Sequence, residues 1–436
     1  MLAAIKLYGQ EAQALVYRYW LWIGLLVTAA MIHGGTAVLR LTTFFPIPNL
    51  ADFASYYVGA WALRQGISPY NWSPQLLNRL QDEMGLFRTA PTHHSPPLWA
   101  LFQQPLTLFP FPLASIIWLI ILLLLVGWSA HRLLQTAGYV APTKWQFTII
   151  FLAILTIGPM FLTLTLGQNS LFMLVAALFI GPKLDRPTLN HLLPSACLWL
   201  LAAAAKFFPL TWLLILPFLR RWRLFFVAGG LCFFGFVLMW LVFPEINADY
   251  WLRFLPERTV IATEAGLDDQ SFTAWLERMG RPQRFAVPGL HTKETETIQW
   301  TPRWSVAERT ITVIGWVIVA SAAIVILLPL YQASAVESEA WFYLWILYIL
   351  LIFPHMARYN HVLLLPAMAW LWRQCVSGKK VVILIYFLLA LSRLNHLWSI
   401  LLPAPWGPLA TGFGVLAVIL LIVSIWWQQR IVSFNE

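Results

Sequence analysis

The sequence predicts an all-α integral membrane protein, and three observations support this fold class. Of its 436 residues, 60% are hydrophobic and only 11% are charged, whereas a soluble domain carries about 25% charged residues. Apolar runs such as Trp20 to Val38 and Leu409 to Trp427 approach the roughly 20 residues that a helix needs to cross a bilayer. Lys and Arg lie mainly between such runs. We expect about 12 transmembrane helices from these runs, in a single domain that spans residues 1–436.

The formal net charge of +10 is explained by membrane topology, because membrane proteins accumulate Lys and Arg in their cytoplasmic loops. The chain shows no basic cluster with interleaved aromatic residues, so we expect no nucleic-acid partner. The three cysteines, Cys197, Cys232 and Cys375, lie far apart. They indicate neither a disulfide framework nor a metal-binding motif.

The first predicted helix runs from about Trp20 to Leu39. Lys6 and Arg18 lie on its amino side, which the positive-inside rule places in the cytoplasm. No clear small-x-small cleavage site follows its apolar core, so we expect the helix to be retained. A first large loop, at about residues 40–112, then lies on the extracytoplasmic side.

The first loop contains two predicted elements. Asn49 can cap a helix from Leu50 to about Arg64, which is followed by a glycine and a proline. The apolar segment from Leu98 to Phe109 is too short to span a bilayer, so we expect it to be re-entrant or interfacial.

The middle of the chain alternates between spans and short turns. Lys206 and Pro209 interrupt a long apolar stretch, which indicates two short helices that meet at the outer face. A second large extracytoplasmic loop is expected at about residues 244–305. The predicted spans beyond the first are Leu113–Leu134, Trp145–Leu164, a fourth span that runs back to the cytoplasmic Lys183 and Arg186, the two halves of Leu189–Leu219, Leu224–Phe243, Val306–Leu330, Trp341–Phe353, His361–Trp372, Val381–Trp398 and Leu409–Trp427.

Polar side chains collect at the predicted outer face, whereas the inner face carries mostly scattered Lys and Arg. This asymmetry predicts a multi-pass protein of the plasma membrane whose chemistry faces the extracytoplasmic side. Nucleotide sugars are absent there, and the usual sugar donor is a polyprenyl-phosphate sugar. The outer polar groups are Asp52, Tyr56, Arg64, His93, His94, Gln168, Asn169, Lys206, Asp268, Asp269, Gln270, His355, Arg358, Asn360, His361, Arg393, Asn395 and His396.

Each of these signals has a structural alternative. A carboxylate at the rim of a bilayer is a functional candidate, but Asp52 also sits where an acid favours the amino terminus of a capped helix. Lys206 could extend its ammonium group to the interface. Gln168 and Asn169 could be ordinary turn residues.

Two histidine-containing segments differ in how they can be explained. His93 and His94 are adjacent, so their side chains point apart on a helix or strand, and no carboxylate lies within a few residues; we expect no metal site there. In Pro354-His-Met-Ala-Arg-Tyr-Asn-His361, two histidines and an arginine lie between apolar segments. Burying them unpaired would cost several kcal/mol, and a bound phosphate would offset that cost.

An ordered set of motifs resembles glycosyltransferase family 87. The set consists of Asp52-Phe-x-x-Tyr-Tyr-x-Gly-Ala-x-Ala-Leu-Arg-x-Gly-x-Ser-Pro-Tyr70, Ser95-Pro-Pro-Leu, Gly167-Gln-Asn, Ala205-Lys-Phe-Phe-Pro209, Asp269-Gln-Ser-Phe272 and Pro354-His…Asn-His361. That family has the GT-C fold, a multi-helix membrane bundle. It includes polyprenol-phosphate-mannose-dependent mannosyltransferases and a related arabinofuranosyltransferase. One departure is Ser95, where the family usually has an aromatic residue, and residues 278–304 match no family motif.

The resemblance implies a role for each candidate residue. Asp52 would be the general base of an inverting transfer. The donor phosphate would be bound by Lys206, His355 and Arg358, which could neutralise its developing charge. No cofactor or metal is expected, because the chain has no Asp-x-Asp triplet. Sugar and acceptor would be bound by Tyr56, Arg64, Gln168, Asn169, Gln270 and His361.

The function expected from these features is transfer of mannose or another hexose or pentose, such as arabinofuranose. The donor would be a polyprenyl-phosphate sugar, and the acceptor a lipid-linked or cell-envelope glycan within reach of membrane lipids. The alternative is a transporter or flippase of lipid-linked sugars, which predicts repeated halves and broken helices around a midplane site. Polar groups at one face favour the enzyme. A non-catalytic lipid-binding scaffold would leave the residues around Asp52 unexplained.

Overall fold

The computed structural model is predominantly helical. The helices are α1 (Leu2–Leu39), α2 (Ala51–Arg64), α3 (Pro97–Gln103), α4 (Phe111–Thr136), α5 (Lys144–Thr156), α6 (Gly158–Leu166), α7 (Ser170–Leu184), α8 (Leu189–Ala205), α9 (Ile215–Phe218), α10 (Trp222–Val242), α11 (Pro244–Ala248), α12 (Phe272–Gly280), α13 (Ser338–Ile352), α14 (Leu364–Gln374), α15 (Val376–Ser392), α16 (Asn395–Leu401), α17 (Trp406–Thr411) and α18 (Phe413–Asn435). The structure describes residues 2–44, 50–70, 93–184, 188–256, 270–280, 283–287, 296–300, 313, 317–318, 320–324, 326–327, 337–353, 356–374, 376–402 and 406–435.

Short 3-10 and π segments connect several of these helices. They are the 3-10 segments Leu41–Phe44, Gln104–Leu108, Phe208–Leu214 and Arg358–Leu363, and the π segment Asp249–Phe254. Two strands, Gln283–Val287 and Glu296–Trp300, pair antiparallel with Gln283 opposite Trp300. This hairpin lies within the second predicted loop, where the all-α prediction contained no strand.

Three helices in the described part of the chain are long and apolar enough to cross a membrane. They are Tyr19–Leu39 within α1, α4 and α10. The pair α5 and α6 makes a fourth candidate but bends by 69°, because Pro159 at the start of α6 cannot donate a backbone hydrogen bond. The other apolar helices are shorter, with 10–17 residues. The predicted total of about 12 crossings is therefore not confirmed.

Helix α13 explains part of this difference. It is apolar, and every residue from Ser338 to Leu351 is buried. It packs against α7, α14 and α18. A helix that is apolar on all sides can be surrounded by protein as well as by lipid, and hydropathy alone does not separate these cases.

The interruption predicted at Lys206 is present and positions the site. Helix α8 ends at Ala205, the backbone of Lys206 is extended with φ −148° and ψ 142°, and a 3-10 segment begins at Phe208. Helices α7 and α8 pack against each other. The amino end of α7 and the carboxyl end of α8 come together, because Asn169 donates to the Ala205 carbonyl at 2.7 Å.

Candidate functional site

A cavity of about 510 Å³ lies where α2, the carboxyl end of α8 and the segment before α14 meet. The cavity unites two of the charged residues singled out by the sequence, Asp52 and Lys206. Its polar lining residues are Asp52, Ser55, Tyr56, His94, Ser95, Gln168, Lys206, Tyr250, Tyr359 and Asn360.

The Asp52 carboxylate is held by a chain of hydrogen bonds. The Gln168 side-chain amide donates from Nε2 to Asp52 Oδ2. The Tyr56 hydroxyl donates to Gln168 Oε1 at 3.0 Å, so both ends of the amide are engaged. Tyr56 lies one turn after Asp52 on α2, which places both side chains on the same helix face.

A glycine turn brings Gln168 to Asp52. Gly167 ends α6 in the left-handed conformation, with φ +70°, which glycine adopts at little cost. A Cβ atom at this position would lie 2.8 Å from Phe53 Cβ and 2.9 Å from Leu50 Cβ. The absence of that atom allows the first turn of α2 to pack directly on this turn. Trp118 fixes the turn by donating to the Gly167 carbonyl at 2.9 Å.

Asp52 lies in the first turn of α2, where an acid favours the helix dipole, so part of the structural alternative holds. Leu50 is the N-cap residue of α2, and no side chain makes a capping hydrogen bond there. The predicted cap Asn49 lies outside the described residues. The Asp52 carboxylate also accepts a hydrogen bond from a distant segment, since Gln168 is 116 residues away in sequence.

Lys206 enters the cavity from the break after α8. Its ammonium group donates to Asn360 Oδ1 at 3.0 Å and lies 4.0 Å from the centre of the Tyr359 ring. Asn360 also accepts a hydrogen bond from Ser170 at 2.9 Å. A neutral amide and an aromatic ring fix the position of this side chain. Burial lowers the pKa of Lys206 to about 7, and the charge of Asp52 opposes that fall, so an anion bound in the cavity would favour the charged ammonium form.

The two charged groups influence each other. Burial raises the pKa of the Asp52 carboxyl above its usual value, and the hydrogen bond from Gln168 and the charge of Lys206 oppose that rise. A raised pKa makes a carboxylate a stronger base. The cavity therefore contains a carboxyl group of raised pKa and a lysine of lowered pKa, each of which opposes the shift of the other.

The remaining wall of the cavity is apolar and aromatic. It is formed by Pro96, Ala205, Phe207, Phe208, Leu255, Phe353 and Met356. Such a surface suits a hydrocarbon chain or the face of a sugar ring. Combined with the polar wall, it suits an amphiphilic ligand.

Two arginines predicted to bind ligands lie outside this cavity. Arg64 is exposed and donates to the Thr107 carbonyl at 3.3 Å. Arg358 donates to the Ser392 carbonyl at 3.0 Å and lines a separate void of about 20 Å³ with Arg40 and Arg393. Arg358 lies outside the cavity because adjacent side chains of the 3-10 segment Arg358–Leu363 point in different directions. Tyr359 points into the cavity, and Arg358 points away from it.

Three further predicted residues also do not line the cavity. Gln270 and His361 are buried, and both side chains approach the Cα of Gly414, where a Cβ would meet Gln270 Oε1 at 2.7 Å and His361 Cε1 at 2.9 Å. Gln270 touches the cavity wall through its backbone, which donates to the Met356 carbonyl at 2.8 Å. Asn169 is buried behind the wall and bridges Ser95 and Ala205. His355 lies outside the described residues.

The cavity also contains residues that were not assigned a role from sequence. Asn360 and Tyr359 hold Lys206, and His94 and Ser55 line the polar wall. Asn360 belongs to the segment Pro354–His361. The sequence had already indicated a functional role for this segment, because burying its polar groups is costly. His94 had been considered only as a metal ligand.

Comparison with known proteins adds independent evidence. The model of glycosyltransferase family 87 matches residues 94–354, more than half of the chain. The chain belongs to glycosyltransferase family 87. The resemblance noted from the sequence motifs is thus confirmed. No curated protein matches the chain.

Membership of glycosyltransferase family 87 establishes a membrane glycosyltransferase. The matched segment contains Gln168, Lys206 and the cavity residues Ser95 and Phe353. It begins after α2, so the match does not include Asp52. The position of Asp52 in the site depends on the geometry of the cavity.

Proposed function

We propose that this member of glycosyltransferase family 87 is an inverting enzyme that transfers a sugar from a polyprenyl-phosphate donor to a lipid-linked or cell-envelope glycan. One observation carries the proposal: the same cavity contains the Asp52 carboxyl group, held by Gln168, and the Lys206 amino group, held by the neutral side chain of Asn360. Mannose and arabinofuranose are the leading candidates for the sugar. The cavity faces the extracytoplasmic side of the plasma membrane in this proposal.

Asp52 acts as the general base. It accepts the proton of an acceptor hydroxyl while the oxygen of that hydroxyl forms a bond to the anomeric carbon of the donor. Direct displacement inverts the anomeric configuration and needs one base. Gln168 keeps the carboxylate in position through its hydrogen bond.

Lys206 stabilises the leaving group. As the bond between the anomeric carbon and the phosphate oxygen breaks, its electron pair passes to that oxygen and negative charge grows on the phosphate. A fixed ammonium in a partly dry cavity stabilises this charge more strongly than water does. His355 is proposed to assist, since it belongs to the segment that carries Tyr359 and Asn360. No metal or other cofactor takes part in this scheme.

The aromatic and apolar wall receives the first units of the polyprenyl chain. The Phe353 ring contacts the rings of Phe207 and Phe208 at ring-centre distances of 5.6 and 5.5 Å. All three line the cavity next to Lys206. This arrangement places a hydrophobic surface beside the cation that would bind the phosphate. A lipid phosphate needs both features.

The test is sugar transfer by the purified, reconstituted protein. Polyprenyl-phosphate mannose and polyprenyl-phosphate arabinose are offered with a membrane lipid extract as acceptor, and glycosylated products are identified by mass spectrometry and their anomeric configuration by NMR. We expect transfer with inversion. Asp52→Asn, which keeps the size of the side chain, should lower kcat by about 10²- to 10⁴-fold.

Glu245→Gln is the matched control, because Glu245 is an exposed acid that does not line the cavity. Full activity of Asp52→Asn would remove Asp52 as the base. Translocation of the donor lipid without formation of a glycosidic bond would contradict transfer and support a flippase.

A further inference from the structure

A second cavity, of about 420 Å³, lies at the other end of the bundle. Helices α7 and α8 both connect the two cavities. The amino end of α7, next to Asn169, and the carboxyl end of α8, next to Lys206, lie at the first cavity. The opposite ends contribute Lys183 of α7 and His191 of α8 to the second cavity. The 17 residues of α8 span about 25 Å, which is close to the thickness of a bilayer core.

The charge in the second cavity is one-sided. Four cationic side chains line it, Lys183, Arg220, Arg221 and Arg223, and no acidic residue belongs to the described part of its lining. Like charges in one cavity repel each other. Such an arrangement is stabilised by an anion that pairs with several of them.

The backbone of the second cavity adds to this positive potential. Helix α10 begins at Trp222 and α8 at Leu189, and neither has a capping side chain or an acid in its first turn. The first N–H groups of a helix have no partner within the helix, and they favour negative charge. Both amino termini contribute residues to the lining.

Two arginines hold special positions in this cavity. Arg221 donates to Ser338 at 3.1 Å, and its buried Nε atom has no partner in the described part of the chain. Arg220 has a φ of +57°, a conformation that is uncommon for a residue with a side chain. Strain of this kind persists where the surrounding structure requires it. Here the strained turn places three arginines, all within four residues of sequence, against the same cavity.

The rest of the wall is apolar, and an exposed aromatic residue lies at its edge. Leu184, Leu192 and Leu224 line the cavity, and Trp222 is 51% exposed. Tryptophan at this level is typical of the membrane–water interface. A ligand with an anionic head and an apolar tail satisfies both parts of the wall.

We propose that this cavity binds the phosphate headgroup of an anionic membrane lipid, in the leaflet opposite to the Asp52 cavity. The positively charged side chains contact the phosphate, and the leucines contact the first acyl carbons. Basic cavities between membrane helices are suited to such headgroups. The site is separate from the proposed transfer reaction and does not depend on it.

The test compares lipid binding by three forms of the full-length protein: wild type, the double variant Arg220→Gln with Arg223→Gln, and the control Lys379→Gln with Lys380→Gln. The control removes the same charge from the start of α15, outside the cavity. Phosphatidylglycerol, phosphatidylcholine and inorganic phosphate are titrated separately, and binding is measured by native mass spectrometry and by the shift in Tm.

We expect wild type and control to bind phosphatidylglycerol in preference to phosphatidylcholine. The cavity variant should bind it roughly 10- to 30-fold more weakly, since each cation near a membrane surface adds about 1 kcal/mol. Equal binding by all three forms would overturn the proposal. If inorganic phosphate raises Tm as much as the lipid does, the ligand of this cavity is a free anion and the proposal of a lipid headgroup is wrong.

Discussion

The two cavities at opposite ends of α7 and α8 differ in how their charges are balanced. In the first, one carboxylate and one ammonium are each held by a side-chain amide, Gln168 and Asn360. In the second, four cations share one space with no acid in the described lining. A site that moves a proton needs opposed charges in fixed positions, whereas a site that holds an anion needs only positive charge. The contrast agrees with the two proposals, a reaction site at one end of the bundle and an anion-binding site at the other.

After the loss of the Asp52 carboxylate, the largest effect should follow removal of the Lys206 amino group from the first cavity. Lys206→Met keeps most of the length of the side chain but not its charge, so the departing phosphate loses its stabilising partner. We expect kcat to fall by about 10²- to 10³-fold, measured by sugar transfer under saturating donor. Lys379→Met, which removes a lysine outside both cavities, is the control. An equal loss of kcat in both variants would show that activity depends on the total charge of the protein and not on the position of Lys206.

The next effect concerns the amide that holds Asp52. Gln168→Leu removes a hydrogen bond that lowers the pKa of Asp52, and we expect roughly tenfold lower kcat. A base acts only when deprotonated, so activity is lost as pH falls through the pKa. The acidic limb of the pH–rate profile should therefore move to higher pH in this variant. A lower kcat with an unchanged limb would assign Gln168 a purely structural role.

A smaller effect is expected at the turn beneath Asp52. Gly167→Ala places a Cβ in contact with Phe53 and Leu50 at a φ of +70°, and should cost about 1 to 3 kcal/mol of stability. Thermal unfolding in detergent would record this as a lower Tm. Gly66→Ala has the same φ of +70° but nothing within 4 Å of the added atom. Comparison of the two variants separates backbone strain from displacement of α2.

The smallest effect is expected for Arg64→Gln. Arg64 is exposed and bonds to a loop carbonyl, and surface changes of this kind usually alter stability by less than about 0.5 kcal/mol. We expect KM and kcat to remain within about threefold of wild type. A large rise in KM for the acceptor would instead support the role in acceptor binding that the sequence predicted for Arg64.

Features fixed by local sequence could be predicted. The break at Lys206 follows from a lysine and a proline in an apolar run, and the turn at Gly167 follows from glycine preceding two amides. The presence of Asp52 and Lys206 in one cavity agrees with their shared position at the predicted outer face. Helix α13 shows what hydropathy cannot predict: an apolar segment has the same hydropathy whether lipid or protein surrounds it.

Features fixed by tertiary packing could not be predicted. Arg358 and Tyr359 are neighbours in the sequence, yet they line different spaces, and only the rotation of their 3-10 segment decides which one faces the cavity. The second cavity draws its lining from the starts of α8 and α10. These starts are more than 30 residues apart in the chain, and no periodicity in the sequence joins them.

The orientation of the Gln168 amide has a consequence for the product. Nε2 donates to Asp52 and Oε1 accepts from Tyr56. Rotation of the amide by half a turn would place Oε1 against the carboxylate and break the bond to Asp52. In the proposed mechanism, Gln168 engages Oδ2 of Asp52, and Oδ1 receives the hydroxyl proton. An acceptor must then present one particular hydroxyl from one direction, and we expect a single regiochemistry of the new linkage.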